Sequence, residues 1–445
     1  MMSFNKHTDF AQSFVRGILF CCVLLFGVNL SGHAQSKSDP LLSTILARAT
    51  SEPARKVLAD PTTYRLQIIY TQIDRDKKGV PHFTNHFYNV DPNFYFNPAS
   101  MVKMPLAFLA VEKLNQLNIA GVDKHTKMIY DSSYPKQVAL KKDNSAPDSS
   151  VTIAHLIKRA FLISENDPYN RLYQFMGQGP TNKILQQKGY SSSQITRQFM
   201  GYTEEQNRHT NAIRFYDKDN QQIYFQEAGY NTDSFLFPAP ILIGDAHIDR
   251  NEKLVQGPFD FTRHNSISLI DMQKMLQAII FPASVPQKSR FDISEQDRLF
   301  LLQYLSQYPS ETTYPKYDTA VYYDSYVKFF FNDATHQMPP GVRVFNKVGW
   351  AYGFLTDVSY VVDTVHQIDY FLSATLYVNS DGVVNDSKYD EETIGFPFLR
   401  ELGGLVHQYE LERTRRFRPA LGLQGVHYET RNWQDSRPSI RNADN

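Results

Sequence analysis

The chain has 445 residues, 42% of them hydrophobic, and is therefore long enough to bury a sizeable core. Its 46 lysines and arginines balance its 46 aspartates and glutamates, which argues against nucleic acid or a charged membrane surface as its partner. Both cysteines, Cys21 and Cys22, lie in an N-terminal apolar run, so disulfides, thiol catalysis and thiolate metal sites are excluded from the rest of the chain.

The N-terminus has the features of a secretory signal peptide. Basic residues precede an apolar run over residues 17–30, and Ser31-Gly32-His33-Ala34 supplies small residues where signal peptidase cleaves. We predict a signal peptide over residues 1–34. A retained membrane anchor is the alternative, although the run is short for a complete span. No later segment has the roughly 18 apolar residues of a transmembrane helix, so we expect an exported protein, periplasmic or secreted, without a stable membrane anchor.

A hairpin and a helical block follow the signal peptide. Residues 35–61 are predicted to be a polar lead-in with a short helix. The next two runs, RLQIIYTQID and HFTNHFYNV, alternate apolar and polar residues around a turn, RDKKGVP, and predict a β-hairpin. Segments with helical periodicity continue from about residue 103 to residue 190. Residues 191–265 are irregular apart from the hairpin-like run IRFYDKDNQQIYF, and we predict an insertion or a lid over the substrate.

The C-terminal part of the chain returns to strands. Two more helical segments reach about residue 310, and VRVFNKVGW, LTDVSYVVD and IDYFLSATLYV then show strand patterns. A closing helix is predicted over about residues 391–411, before a polar tail over residues 413–445. We therefore predict an α+β fold for a domain over residues 62–412: an antiparallel sheet formed by both chain ends, flanking helices, and an inserted all-α lobe over about residues 104–310. A cleft between the lobes is the expected active site.

A serine and a lysine at the start of an apolar helix are the first candidates for catalysis. Ser100 and Lys103 occur in the run FNPASMVKMPLAFLAVEKL, and residues three apart on a helix share a face, so the amine can activate the hydroxyl. The unpaired N–H groups at the helix start also suit a developing oxyanion. A second copy of this spacing, Ser133 and Lys136, contains Pro135 in a polar loop and lacks the helical geometry.

Two further motifs follow Ser100 in a characteristic order. Ser164-Glu165-Asn166 comes directly after an apolar helix, and Lys347-Val348-Gly349 lies in a predicted strand. Together, the three motifs resemble those of the penicillin-recognising serine hydrolases, the β-lactamase/DD-peptidase superfamily, and especially its class A β-lactamase-like branch. The resemblance extends over about residues 65–411 and implies the β-lactamase/DD-peptidase-like form of the α+β fold described above.

The resemblance implies a role for each motif residue. Ser100 would attack an amide carbonyl and form an acyl-enzyme, with Lys103 as base or proton relay. Ser164 would pass a proton to the leaving nitrogen, and Asn166 would bind the substrate's side-chain amide. Lys347 would favour a substrate carboxylate and keep proton affinities low around Ser164. Gly349 belongs to the same substrate-binding strand, and the backbone N–H groups of Ser100 and Trp350 would form the oxyanion hole.

The chain also departs from the family pattern. Glu165 replaces the usual aspartate, and Val348 replaces a threonine whose hydroxyl would help to hold the substrate carboxylate. Class A β-lactamases use a glutamate, followed four residues later by an asparagine, to activate the deacylating water. Glu205 lacks that spacing, whereas Glu227 has it with Asn231. Both glutamates are candidates for this base, and without one the acyl-enzyme would hydrolyse slowly.

The expected ligand is a small-molecule or peptide-like amide, either a β-lactam or a cell-wall peptide. Asp245, His247 and Asp249 alternate along one segment, but an exposed strand or loop explains them better than a metal site, and we expect neither metal nor cofactor. We expect a monomer that works as a β-lactamase-like serine hydrolase. The alternatives are a peptidoglycan DD-peptidase or transpeptidase, and a weakly active penicillin-binding or sensor protein.

Overall fold

The chain folds into runs of helices and runs of strands. The structure, a computed structural model, describes residues 38–419, 421 and 425–443. The helices in chain order are α1 (Pro40–Leu46), α2 (Glu52–Ala59), α3 (Lys103–Leu117), α4 (Ile153–Leu162), α5 (Asn166–Met176), α6 (Gln178–Gln187), α7 (Glu204–Asn207), α8 (Leu269–Ile280), α9 (Glu295–Ser306) and α10 (Phe396–Glu412). The strands in chain order are β1 (Gln67–Arg75), β2 (Pro81–Tyr88), β3 (Lys127–Tyr130), β4 (Ile213–Tyr216), β5 (Gln222–Gln226), β6 (Leu242–Ile243), β7 (Ala246–Ile248), β8 (Leu254–Gln256), β9 (Phe259–Asp260), β10 (Val342–Ala351), β11 (Phe354–Asp363), β12 (Ile368–Tyr377) and β13 (Val383–Val384).

Both ends of the chain build the main sheet. Its five strands are antiparallel in the order β10-β11-β12-β1-β2. N-terminal strand β1 therefore pairs with C-terminal strand β12, Gln67 lying opposite Thr375. Strands β11 and β12 are buried along almost their whole length, because helices cover both faces of the sheet. The predicted α+β fold, with an antiparallel sheet formed by both chain ends, is confirmed.

Two hydrophobic cores lie on the two faces of this sheet. Helices α1, α2 and α10 contribute to one core, for example through Leu42, Val57 and Val406. Helices α3, α4, α5, α8 and α9 contribute to the other core. Helix α3 is central to this second core, because it is buried from its first residue over most of its length. The first turn of α3 is thereby held firmly beside the sheet.

The inserted lobe is mainly helical, but it is not all-α as the sequence predicted. A small sheet, β3-β4-β5, lies within it, and the hairpin predicted from IRFYDKDNQQIYF is confirmed as β4 and β5. Short strands also form in the region predicted to be irregular, where β6 pairs with β9 and β7 with β8 and β13. Strands β6 to β9 have only two or three residues each, too few for a clear periodicity in the sequence.

The C-terminal segment follows the surface of the domain. Its residues 425–443 form no helix, as expected for a polar tail, yet they are held by specific contacts. Ile440 makes a parallel bridge with Tyr317, and Glu429 forms an ion pair with Lys158. Within the described residues, no helix has both the length and the apolar character needed to cross a bilayer. The predicted signal peptide, residues 1–34, lies outside the described residues.

Candidate active site

A short 3-10 turn places Ser100 beside Lys103. The turn spans Ala99–Val102, and Lys103 is the first residue of α3. Because a 3-10 turn has three residues per turn, the side chains at positions i and i+3 project in the same direction. Lys103 Nζ accordingly donates a hydrogen bond to Ser100 Oγ at 2.8 Å. Ala99 has a left-handed backbone (φ 44°), a conformation that non-glycine residues adopt at an energetic cost and that is frequent at functional sites.

Lys103 also joins the first motif to the second. Its side chain is fully buried, and Nζ donates to Ser164 Oγ at 3.3 Å and to Asn166 Oδ1 at 2.9 Å. A further hydrogen bond from Nζ reaches the backbone oxygen of Ser164. The structure therefore brings together Ser100, Lys103, Ser164 and Asn166, as the sequence analysis expected.

Glu165 holds the loop that carries Ser164. Its carboxylate is 2% exposed and accepts two hydrogen bonds from Arg159, at 2.6 and 3.0 Å, and one from Tyr317. Burial raises the pKa of Glu165, although the charge of Arg159 opposes this effect. Ser164 itself has a left-handed backbone (φ 69°). The buried ion pair thus anchors a strained turn, and the glutamate that departs from the family pattern has a positioning role.

The third motif reaches the same point from β10. Lys347 Nζ donates to Ser164 Oγ at 2.7 Å and to the backbone oxygen of Val348 at 3.0 Å. The pKa of Lys347 is well below its usual value, first because of burial and then because of the charge of Lys103. Two buried amines therefore share the Ser164 hydroxyl, and they do not readily carry two positive charges together.

At Gly349 and Trp350, strand β10 lies against the turn that carries Ser100. A Cβ atom on Gly349 would lie 2.4 Å from the backbone oxygen of Pro98, so only glycine permits this close approach. Val348 is 3% exposed and belongs to the core on the opposite face of the sheet, because neighbours in a strand alternate. The Trp350 ring packs edge-on against Phe396, and the residue is 41% exposed and lines the cleft that contains Ser100.

Ser100 opens into a cleft of about 500 Å³. Asn166 and Trp350 line the same cleft, and none of the described residues that line it is an aspartate or a glutamate. Glu205 lies elsewhere, with its carboxylate 3.2 Å from His209 Nε2 and its side chain 55% exposed. Glu227 is exposed and does not line the cleft either. The structure therefore brings neither candidate for the deacylating base to Ser100.

An aromatic ring lies where such a base would be useful. Phe199 lines the cleft, stacks on Tyr169 with ring centroids 4.2 Å apart, and lies with its ring centre 5.4 Å from Lys103 Nζ. Arg197 and His264 line the cleft as well. Sequence reasoning missed all three, because they come from the irregular region and no motif marks them. Burial, followed by the charge of Arg197, lowers the pKa of His264 to about 3, so its imidazole is neutral at physiological pH.

The alternating acidic segment has structural contacts of its own. His247 Nδ1 lies 3.0 Å from the backbone oxygen of Gly257, and Asp249 accepts backbone hydrogen bonds within its own turn. Among the described residues, no three His, Cys, Asp or Glu side chains are grouped as metal ligands would be.

Comparisons with known proteins give a family match and several solved structures. The model of the beta-lactamase enzyme family matches residues 82–380. Solved structures similar to this one include a beta-lactamase from Sphaerobacter thermophilus, with 12% identity, 83% of this chain and 96% of that chain covered, and a TM-score of 0.43. A beta-lactamase from Desulfarculus baarsii has 12% identity, with 84% and 98% covered and a TM-score of 0.44. A protein named PBP-A also has 12% identity, with 83% and 95% covered and a TM-score of 0.44. No curated protein sequence matches the chain.

Proposed function

Because the chain belongs to the beta-lactamase enzyme family, we propose that it is a serine hydrolase that forms an acyl-enzyme at Ser100. One observation carries this proposal: a buried lysine amine lies 2.8 Å from Ser100 Oγ and also contacts Ser164 Oγ. Such a contact is what activation of a serine hydroxyl requires. We further propose that the substrate is a β-lactam or a peptide-like amide, as for the family.

Acylation can be followed atom by atom through the contacts at this site. Ser100 Oγ forms a bond to the carbonyl carbon, and its proton passes to a neutral Lys103 Nζ. In this proposal Lys103 reacts as the neutral amine and the positive charge of the amine pair lies on Lys347, because the two buried amines do not readily carry two charges together. The carbonyl oxygen becomes an oxyanion that the backbone N–H groups of Ser100 and Trp350 stabilise.

Collapse of this intermediate releases the amine. The carbon–nitrogen bond breaks, and the leaving nitrogen takes a proton from Ser164 Oγ. Lys103 Nζ then returns the proton that it holds to Ser164, over a contact of 3.3 Å. Lys347, 2.7 Å from Ser164 Oγ on the other side, stabilises the negative charge that develops on this oxygen during the transfer. The products are a released amine and an ester at Ser100.

The second candidate function is that of a protein that is acylated but hydrolyses the acyl group slowly, as penicillin-binding proteins and peptidases do with β-lactams. The absence of a carboxylate among the described residues lining the cleft favours it, because hydrolysis of the ester needs a base to activate water. On one side of the Lys103 amine, 5.4 Å away, lies the apolar ring of Phe199 rather than a carboxylate. A DD-peptidase or transpeptidase would share this feature.

Labelling of the nucleophile tests the proposal. The full-length mature protein is incubated with a labelled penicillin or a fluorophosphonate, and the adduct is located by mass spectrometry. We expect an adduct on Ser100 that is absent from Ser100→Ala, while Ser133→Ala, the matched serine of the rejected motif, is labelled normally. Circular dichroism would show that both variants fold. If the folded wild-type protein forms no adduct with either probe, the proposed function is wrong.

The lifetime of the adduct separates the two candidates. Rapid loss of the penicilloyl group with release of hydrolysed product indicates a β-lactamase. A mass increase that persists for hours indicates an acylated protein with slow turnover. We also propose, from the N-terminal sequence, that the protein is exported to the periplasm or secreted, and that it acts as a monomer. N-terminal sequencing of the exported protein would test cleavage after Ala34.

A further inference from the structure

The cleft that contains Ser100 continues into a second cleft. This neighbour has a volume of about 730 Å³, and Arg197, His264, Tyr352 and Asn385 line both. Arg197 therefore lies at the junction of the two clefts. A substrate longer than its reacting amide would extend past this arginine.

Arg197 differs from the other arginines of the second cleft in its contacts. Arg263 forms an ion pair with Glu204 at 2.7 Å, and Arg208 donates two hydrogen bonds to the backbone oxygens of Asn231 and Asp233. In the described part of the chain, the Arg197 guanidinium forms neither an ion pair nor a hydrogen bond, although its backbone N–H donates to Asn265. A half-buried guanidinium without an acceptor is a ready site for an anion.

The charges around Arg197 also favour an anion. No described carboxylate lines the Ser100 cleft, and neighbouring His264 is neutral at physiological pH. The acidic residues of the second cleft are engaged elsewhere: Glu204 with Arg263, Asp260 with the N–H of Thr262, and Asp249 with its own turn. None of these described carboxylates is paired with the Arg197 guanidinium at the place where the two clefts meet.

The residues of the third motif are poorly placed to bind a substrate carboxylate. Lys347 is 2% exposed, and its amine already donates to Ser164 Oγ and to the backbone oxygen of Val348. The Val348 side chain provides no hydroxyl and lies in the core. The residues that would hold a substrate carboxylate by resemblance are therefore poorly placed to do so, whereas Arg197 is half-buried in the cleft itself.

We propose that Arg197 forms an anion subsite that binds a carboxylate carried by an extended, peptide-like acyl substrate, at the junction between the Ser100 cleft and the second cleft. This inference rests on the proposed function, because it identifies the substrate class of the same site. A guanidinium can donate two parallel hydrogen bonds to one carboxylate, which gives both affinity and orientation. The acidic group then fixes how the acyl chain lies and hence which carbonyl reaches Ser100.

A pair of matched substrates tests the subsite. The probes are alanyl thioesters whose N-terminal acyl group is either succinyl, which ends in a carboxylate, or succinamoyl, which ends in a neutral amide. Each is made with one and with two alanines, so that the carboxylate reaches to different depths. The measured quantity is the second-order rate constant for acylation of Ser100. We expect the wild-type protein to prefer the anionic probe by about tenfold at one of the two lengths, which corresponds to about 1.4 kcal/mol.

Variants at the two arginines provide the control. Arg197→Gln should reduce this preference to about one, and Arg197→Glu should favour the neutral probe. Arg263→Gln, which removes an arginine of the second cleft that is already paired with Glu204, should keep the wild-type preference. If wild-type protein acylates both probes equally, or if Arg197→Gln slows both by the same factor, the anion subsite is wrong while acylation at Ser100 stands.

A binding measurement separates this inference from the proposed function. Fluorescence anisotropy is recorded for labelled succinyl and succinamoyl dialanine amides, which cannot acylate, with Ser100→Ala and with Ser100→Ala/Arg197→Gln. If no probe acylates the wild-type protein but the anionic peptide binds in an Arg197-dependent manner, the proposed chemistry is wrong and the subsite is correct. If the anionic peptide binds no better than the neutral one to either variant, the subsite is wrong whatever the chemistry.

Discussion

At the scale of single residues, the position of Phe199 leads to a prediction about the lifetime of the proposed acyl-enzyme. Its ring centre lies 5.4 Å from Lys103 Nζ on the wall of the Ser100 cleft, where a carboxylate could activate water for deacylation. Phe199→Glu should therefore shorten the lifetime of a penicilloyl adduct by tenfold or more, since general bases contribute about 10²–10⁴ in rate. Adduct decay followed by mass spectrometry measures this change.

The matched control for this variant is Phe199→Gln. It admits polar atoms and water at the same position without supplying a base, so the lifetime of its adduct should stay close to that of the wild-type protein. Equal lifetimes for the glutamate and glutamine variants would contradict a role for this position in deacylation.

We also predict that His264 makes the free energy of unfolding depend on pH. Its folded-state pKa is about 3, lowered by burial and then by Arg197, below the usual 6.5. The unfolded chain therefore binds the proton more readily, and the stability due to neutral His264 is present above pH 6.5 and lost as the pH falls toward 3. His264→Gln should thus lose less unfolding free energy between pH 7 and pH 4, by up to about 3 kcal/mol. Urea unfolding at several pH values measures the difference, and parallel curves for both proteins would contradict it.

At the scale of secondary structure elements, the close approach of β10 to the 3-10 turn forms the site. Gly349→Ala would place a methyl group 2.4 Å from the backbone oxygen of Pro98 and 2.9 Å from Met101 Cγ. The strand and the turn must then separate, so acylation of Ser100 should fall by tenfold or more, with a loss of about 1–3 kcal/mol in stability. Rates of labelling and urea denaturation give the two quantities.

A glycine in α10 provides the control for this change. Gly404 is exposed, and a Cβ added to it would meet no other atom within 4 Å. Gly404→Ala should therefore increase stability by about 0.5–1 kcal/mol, as expected for a helix interior. Its rate of labelling should equal that of the wild-type protein. If Gly349→Ala also labels at the wild-type rate, the contact between β10 and the turn is not required for the site.

Elements differ in how far their sequences predict them. The pair Ser100 and Lys103 was predictable, because a spacing of three residues on a helical turn determines which side chains meet. Val348 was interpreted as a change in the cleft, but strand alternation and its place in the core put it on the opposite face. Phe199 and Arg197 could not be predicted, because long-range packing of an irregular loop, rather than a local pattern, brings them to Ser100.

At the scale of the whole molecule, the sheet was predictable and the C-terminal segment was not. Apolar strand patterns at both chain ends indicate a shared sheet, and β1 does pair with β12. The last residues have no periodicity, yet Arg431 Nη2 donates to the backbone oxygen of Tyr317 at 2.8 Å, and the Tyr317 hydroxyl donates to Glu165. Individual polar contacts leave no pattern in the sequence, so the sequence did not predict that the tail contacts Tyr317, the residue whose hydroxyl donates to Glu165.

We predict that the C-terminal segment, residues 425–443, contributes to the stability of the whole domain. Glu429 accepts hydrogen bonds from Lys158 at 2.7 and 2.8 Å, from Tyr304 at 2.6 Å and from Thr312 at 2.8 Å. Glu429→Gln would leave the Lys158 side chain, only 9% exposed, without its counter-ion. We therefore expect a loss of about 2–3 kcal/mol in the free energy of unfolding, since unpaired buried charges are costly.

Glu412→Gln is the matched control, because its ion pair with Arg48 has both side chains 48% exposed, and exposed pairs contribute little. This variant should unfold at the same urea concentration as the wild-type protein. If the contacts of the C-terminal segment did not stabilise the domain, both glutamine variants would have the urea midpoint of the wild-type protein. A lower midpoint for Glu429→Gln alone, with an unchanged denaturant slope, would instead mean that residues 425–443 unfold together with the domain that holds Ser100.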